Sequence, residues 1–186
     1  MNIINIYYTI LLFHTVYGLI IYNYVLKQLS IIEKITKITI QINIANTCYY
    51  IYKILVLNNY IQFDISSHVI SILYNLNGIV SIGYIVYRYL IEPVHNFYIY
   101  YDSVQLHLFN LLYMTCELYM NAYIPVYIES TAILTLVLFI AWGPLYYYHS
   151  KWNYNICLYK ILGVYCIFSI YLVHYMIIYT VDIIKN

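Results

Sequence analysis

Charge is what this chain most lacks. Of its 186 residues only 8% are Asp, Glu, Lys or Arg, while 65% are hydrophobic and the mean hydropathy is +0.75. A soluble domain of this length would carry roughly 25% charged residues. That excludes an ordinary water-soluble domain and leads to the expectation of a membrane protein. The net charge of +1 provides no basic face for a phosphate backbone, so nucleic acid is not an expected partner. Lys27, Lys34, Lys37 and Lys53 gather in the first third, interrupted by Glu33, and are expected to form a solvated or headgroup-level segment. Cysteine is sparse: Cys48, Cys116, Cys157 and Cys166 include no CxxC pair. That argues against structural zinc or a dithiol redox motif, and no metal site is expected. The four are read as small buried apolar residues. A cleavable signal is not expected either. Asn2–Leu26 is uncharged, too long for a signal core, and preceded by no basic stretch. No internal repeat is visible.

Tyrosine is what the chain has in excess, 29 residues against 6 Phe, together with many Ile and Asn. All three can be written with A/T-only codons, so composition points to an AT-rich genome such as an organellar one. Most tyrosines are then helix surface and interfacial filler rather than a radical pathway.

A helix needs roughly 20 apolar residues to cross a bilayer. Asn2–Leu26 meets that length. Lys27–Lys37 reads as an interfacial amphipathic helix or loop. Ile38–Phe63 stays open: Lys53 cuts it and Asn58-Asn59 marks a turn, so it is a tilted, re-entrant or surface-lying segment. Ile65–Tyr87 reads as a span anchored by Arg88. Val94–Met114, carrying Asp102 and His107, is long enough for another. Glu117–Ile140 follows and is stopped by Trp142-Gly143-Pro144. Ile156–Val181 reads as the last. The expected fold is an all-α integral membrane protein with about five transmembrane helices. Its expected organisation is an N-terminal extension over 1–64, with one span and an amphipathic segment, and a helix bundle over 65–186.

The informative stretch is Glu92–Leu138. Glu117 stands between long apolar runs, where an acid costs about 2.5–3.5 kcal/mol on insertion scales. Chains tolerate such a cost mostly where the acid moves protons or ions. Upstream lies Glu92-Pro93-Val94-His95-Asn96. Downstream lie Val126-Tyr127-Ile128-Glu129-Ser130 and then Ala132-Ile133-Leu134-Thr135-Leu136-Val137. In joint spacing this stretch resembles subunit 6 of mitochondrial NADH dehydrogenase (complex I; subunit J in bacteria). That family shows an "NPVHS" connector, an acid opening its third helix, a "VYVGA" or "VYIGA" motif, and then "AVLFLFVV". Ile79–Arg88 also resembles the end of the family's first helix.

The resemblance implies a core membrane-arm subunit of proton-pumping NADH:ubiquinone oxidoreductase in the mitochondrial inner membrane. Such a subunit couples quinone reduction to proton translocation and binds no cofactor itself. NADH, FMN, iron–sulfur clusters and ubiquinone belong to the whole complex. Implied partners are complex I subunits 1, 2, 3 and 4L, lipids, and lineage-specific subunits at the N-terminal extension. The family's third helix is implied to switch between π-bulged and α-helical states, opening or closing a water path. Glu117 is then the protonatable group on that path; the bland alternative is a headgroup-level acid at a helix start. Tyr127 and Ile128 fall at the bulge or gate, or else Tyr127 is plain aromatic packing. Glu129 stands where the family has glycine, either on the path or near a membrane surface. Pro125 removes one backbone hydrogen bond and is expected to disturb the helix in that glycine's place. Pro93 and His95 form the connector, with His95 capping it. Asp102 and His107 are weak pathway candidates.

Three rival readings stay open. Glu117-Leu118-Tyr119-Met120-Asn121-Ala122 also resembles the "ELMLNA" helix of complex I subunit 4L. That family needs a second membrane glutamate one helix later, and Trp152–Val181 holds no acid. A structural accessory membrane subunit of another respiratory complex or ATP synthase would use Glu117 only as a paired or interfacial group. A haem- and quinone-anchoring subunit of succinate dehydrogenase would need histidines from two helices to converge.

Overall fold

The computed structural model describes residues 3–35, 37–86, 105–120, 179–180 and 183. Every regular element among them is helical. These are α1 (Ile3–Val25), a short α2 (Ile31–Ile35), α3 (Ile38–Leu57), α4 (Ser66–Val86), a π-helical turn (Gln105–Phe109) and α5 (Asn110–Met120). α1 is an uninterrupted apolar run without proline or charge, and its 23 residues give a rod of about 35 Å. Among the described residues it is the one helix both long and apolar enough to cross a membrane. α3 and α4 are comparably long, at 20 and 21 residues, but each carries a row of polar side chains on its buried side.

The open segment Ile38–Phe63 resolves into a single unbroken helix and a turn. Lys37, in extended conformation, starts α3, and its carbonyl accepts from the backbone N–H of Ile40 and Gln41. Asn58 ends the helix, its side-chain amide donating to the Ile54 carbonyl at 2.7 Å. Asn59 then takes a left-handed conformation (φ 60°), which asparagine tolerates better than most residues. The turn expected at Asn58-Asn59 is therefore present. Lys53 does not cut the helix. It lies on the inward face, as does Lys37 at the helix start, so neither belongs to a solvated cluster. Ser66, Asp64 and the Tyr8 ring replace water around the Lys53 ammonium.

The helices alternate in direction. Asn5 on α1 meets Asn58 at the far end of α3, and Asn23 near the end of α1 accepts from Lys34 at 2.7 Å. Ser66 at the start of α4 meets Lys53, while Asn77 further along meets Asn46. α5 runs parallel to α3. The pairs Thr39–His107, Asn43–Asn110 and Tyr49–Glu117 have sequence separations of 68, 67 and 68.

The interior combines an apolar core with many buried polar groups, while further large apolar side chains lie outside. The apolar part of the core is Tyr8 and Leu11 of α1, Tyr49 and Tyr50 of α3, Ile70, Leu73 and Tyr74 of α4, and Met114 and Leu118 of α5. Buried beside them are Thr39, Asn43, Asn46, Ser71, Asn77, Ser81, Asn110 and Glu117. Ile3, Ile10, Phe13 and Ile20 of α1 lie on the outside, and so do Ile44 and Ile51 of α3. Cys48 and Cys116 are exposed and free, against the expectation of burial, because the inward positions of their helices are taken by larger polar side chains. On α3 the positions Thr39, Asn43, Asn46, Tyr50 and Lys53 follow three- and four-residue steps, which align on one helix face.

The Asn46 and Asn77 side-chain amides bond each other reciprocally, both contacts at 3.0 Å. Asn46→Leu should destabilise the fold by about 1–3 kcal/mol, because the buried Asn77 amide loses that partner. The double change Asn46→Leu/Asn77→Leu should recover most of the loss. Unfolding of the full chain in lipid bicelles, followed by circular dichroism, distinguishes these outcomes.

Candidate functional site

Glu117 lies on the inward face of α5 and is 0% exposed. Two phenols from different helices donate to the same carboxylate oxygen, Oε1. Tyr8 of α1 does so in a short hydrogen bond and Tyr49 of α3 at 2.8 Å. Hydrogen bonds to a carboxylate are among the stronger ones, and a buried acid needs them to offset lost hydration. The aromatic cluster extends to Tyr7, edge-on to Tyr8 with ring centres 5.2 Å apart, and to Tyr50, tilted against both Tyr8 and Tyr49. The buried hydroxyls of Tyr7 and Tyr50 have no hydrogen-bond partner among the described residues.

Toward one end of the bundle the site meets a charged cluster. Lys53, 5% exposed, donates to Ser66 Oγ at 3.1 Å and lies 4.0 Å from Asp64 Oδ2. Its ammonium also sits over the Tyr8 ring, 5.7 Å from the ring centre. Asp64 in turn accepts from the Ser66 backbone N–H at 2.7 Å, fixing the start of α4. The Tyr52 hydroxyl accepts from Ile65 N–H at 2.7 Å and holds this loop to α3. Partial burial pushes the Asp64 carboxyl up, but hydrogen bonds from Ser66 and the Lys53 ammonium outweigh it and hold it below its ordinary value.

Toward the other end lies a ladder of neutral polar contacts. The Asn110 amide donates to Asn43 Oδ1 at 2.8 Å, and Asn77 pairs with Asn46. The His107 ring contacts Thr39 Oγ1 at 3.1 Å and stacks on Tyr84 with centres 4.5 Å apart. His107 belongs to the π-helical turn, and its backbone carbonyl accepts a short hydrogen bond from the Ser81 hydroxyl. A π turn displaces backbone groups from the regular ladder, and a neighbouring side chain here takes one of them. Among the described residues no group of three His, Cys, Asp or Glu is placed to hold a metal ion.

Of the residues singled out from sequence, Glu117 is described and buried. Pro93, His95, Asp102, Pro125, Tyr127, Ile128 and Glu129 lie outside the described residues. A π-helical turn does occur, but before Glu117 at Gln105–Phe109. The helix break expected between Met114 and Glu117 is not there, since α5 runs through both. Thr115 does not interrupt it, because its hydroxyl bonds the Leu111 carbonyl at 2.8 Å. Tyr8, Tyr49, Lys53 and the asparagines are the site residues that sequence reasoning missed. The three- and four-residue spacing of polar positions on α3 was the signal that could have found Asn43, Asn46 and Lys53; Tyr8 and Tyr49 are not among those positions.

Glu117→Gln keeps an acceptor for both phenols, whereas Glu117→Leu leaves two buried hydroxyls without one. Glu117→Leu should therefore cost about 1–3 kcal/mol more than Glu117→Gln in bicelle unfolding. At Asp64 the folded-state value is lowered. Its stabilisation is fully present above the ordinary aspartate range of ~4 and disappears as pH falls through the lowered folded value. Asp64→Asn should remove that acid-dependent component from a pH series of unfolding measurements. Compared with known proteins, the chain matches no family model, no curated protein and no solved structure.

Proposed function

We propose that this chain is a multi-pass membrane protein of the mitochondrial inner membrane with about five spanning helices, and a non-redox core subunit of complex I similar to subunit 6. In this reading it helps couple ubiquinone reduction by the NADH-, FMN- and iron–sulfur-bearing arm to proton translocation, beside subunits 1, 2, 3 and 4L. Glu117 is its proton-carrying group. The observation that carries the reading is a fully buried carboxyl between helices that accepts hydrogen bonds from two phenols. The membrane part is supported by isoleucines and phenylalanine outside and amides inside, the distribution lipid favours. The subunit-6 part rests on the joint spacing of Pro93-Val94-His95, Glu117 and Val126-Tyr127-Ile128.

A second reading is favoured by a specific feature. Tyr8 and Tyr49 bring α1 and α3 onto one oxygen of α5, so Glu117 also serves as a tie between helices. An accessory structural subunit would need no more than that.

Isolation of the native membrane complex that contains this chain separates the two. Co-purification with inhibitor-sensitive NADH:quinone activity is the expected result; co-purification with another complex would leave the structural reading in its place. Within complex I, Glu117→Gln should lower quinone-coupled proton pumping roughly a hundredfold, the size associated with losing a positioned proton-transfer group. Assembly should stay intact. Loss of assembly with normal pumping in the residual complex would favour the structural role.

A further inference from the structure

Two oppositely chargeable side chains are buried in this bundle with one tyrosine between them. Lys53 is 5% exposed and Glu117 0%. Tyr8 offers its ring face to the Lys53 ammonium and its hydroxyl to Glu117 Oε1. The arrangement polarises the phenol in one sense: a cation over the ring draws electron density from the hydroxyl and strengthens it as a donor. Lys53 also faces outward to Asp64, at the 4.0 Å limit of an ion pair, and that carboxylate is about half exposed (side chain 49%). An exposed acid at that distance compensates a buried cation only weakly. A buried charge without compensation is strongly unfavourable. One cation therefore stands between two acids, a screened one at the surface and an unscreened one inside.

We propose that Lys53 is the counter-charge of Glu117, coupled to it through Tyr8, and that Asp64 competes with Glu117 for it. The α3–α4 loop thereby sets how much positive charge the buried acid feels. Among the described residues, titratable side chains within electrostatic reach of Glu117 include Tyr7 of α1 and Tyr49 and Tyr50 of α3. Each of these is neutral in its ordinary form at pH 7, whereas a lysine is a cation. Nothing in this pairing depends on which complex the chain belongs to.

A double-mutant cycle on the full chain in lipid bicelles tests it. Lys53→Met and Glu117→Gln each remove one charge, and each should raise the unfolding equilibrium constant. The double variant should fall about tenfold below the product of the two single effects. In an Asp64→Asn background that shortfall should grow, because the competing acid is gone. Single effects that simply multiply would overturn the proposal. If Lys53→Met does not fold, Lys53→Gln and Lys53→Arg serve with a spectroscopic readout, the isotope-edited infrared bands of Glu117 at pH 7. Lys53→Gln should convert carboxylate signal to carboxylic-acid signal, and Lys53→Arg should retain the carboxylate. Identical Glu117 bands in all three proteins would count against it. Lost coupling with intact NADH:quinone activity would remove this inference alone; intact coupling in another complex would remove the functional reading alone.

Discussion

A carboxyl shut between helices must find its hydrogen bonds within the protein, and the rest of this structure follows from how Glu117 finds them. Its donors come from α1 and α3, so three helices are fixed to one atom. The tyrosines that supply them occupy the centre of the apolar core, which makes packing and polar satisfaction one problem. Moving α1 away would expose Leu11 and also take a donor from the acid.

α3 is the element that carries this design along the bundle. Its inward stripe changes character from Thr39 through Asn43 and Asn46 to Tyr49, Tyr50 and Lys53, and each member meets a neighbouring helix. Amide and hydroxyl contacts between helices are modest singly, but they fix rotation and register, which interchangeable isoleucines cannot. The near-constant separation of the pairs between α3 and α5 expresses that register. α2 contributes little to it beyond the Lys34 contact with Asn23.

The helical class, the extent of α1 and the Asn58-Asn59 turn were legible in the sequence, because apolar run length and turn chemistry are local properties. Glu117 was legible as an outlier of charge. Lys53 was misread for the same reason: a charge in an apolar run looks like an interruption until its partners, Ser66 and the Tyr8 ring, are seen in space. Tyr8 and Tyr49 were hidden by number. With 29 tyrosines in the chain, composition could not distinguish the two phenols that reach Glu117 from filler. The π-helical turn at Gln105–Phe109 has no local signature either; it depends on Ser81 and Tyr84 of another helix.

The alternating helices also sort charge by end. Lys27, Lys34 and Lys37 lie where α1 finishes and α3 begins, whereas Lys53 and Asp64 face each other at the opposite end, where α3 hands over to α4. The four lysines that look like one cluster along the sequence are thus divided by the fold, three at one end and Lys53 turned to a buried tyrosine at the other.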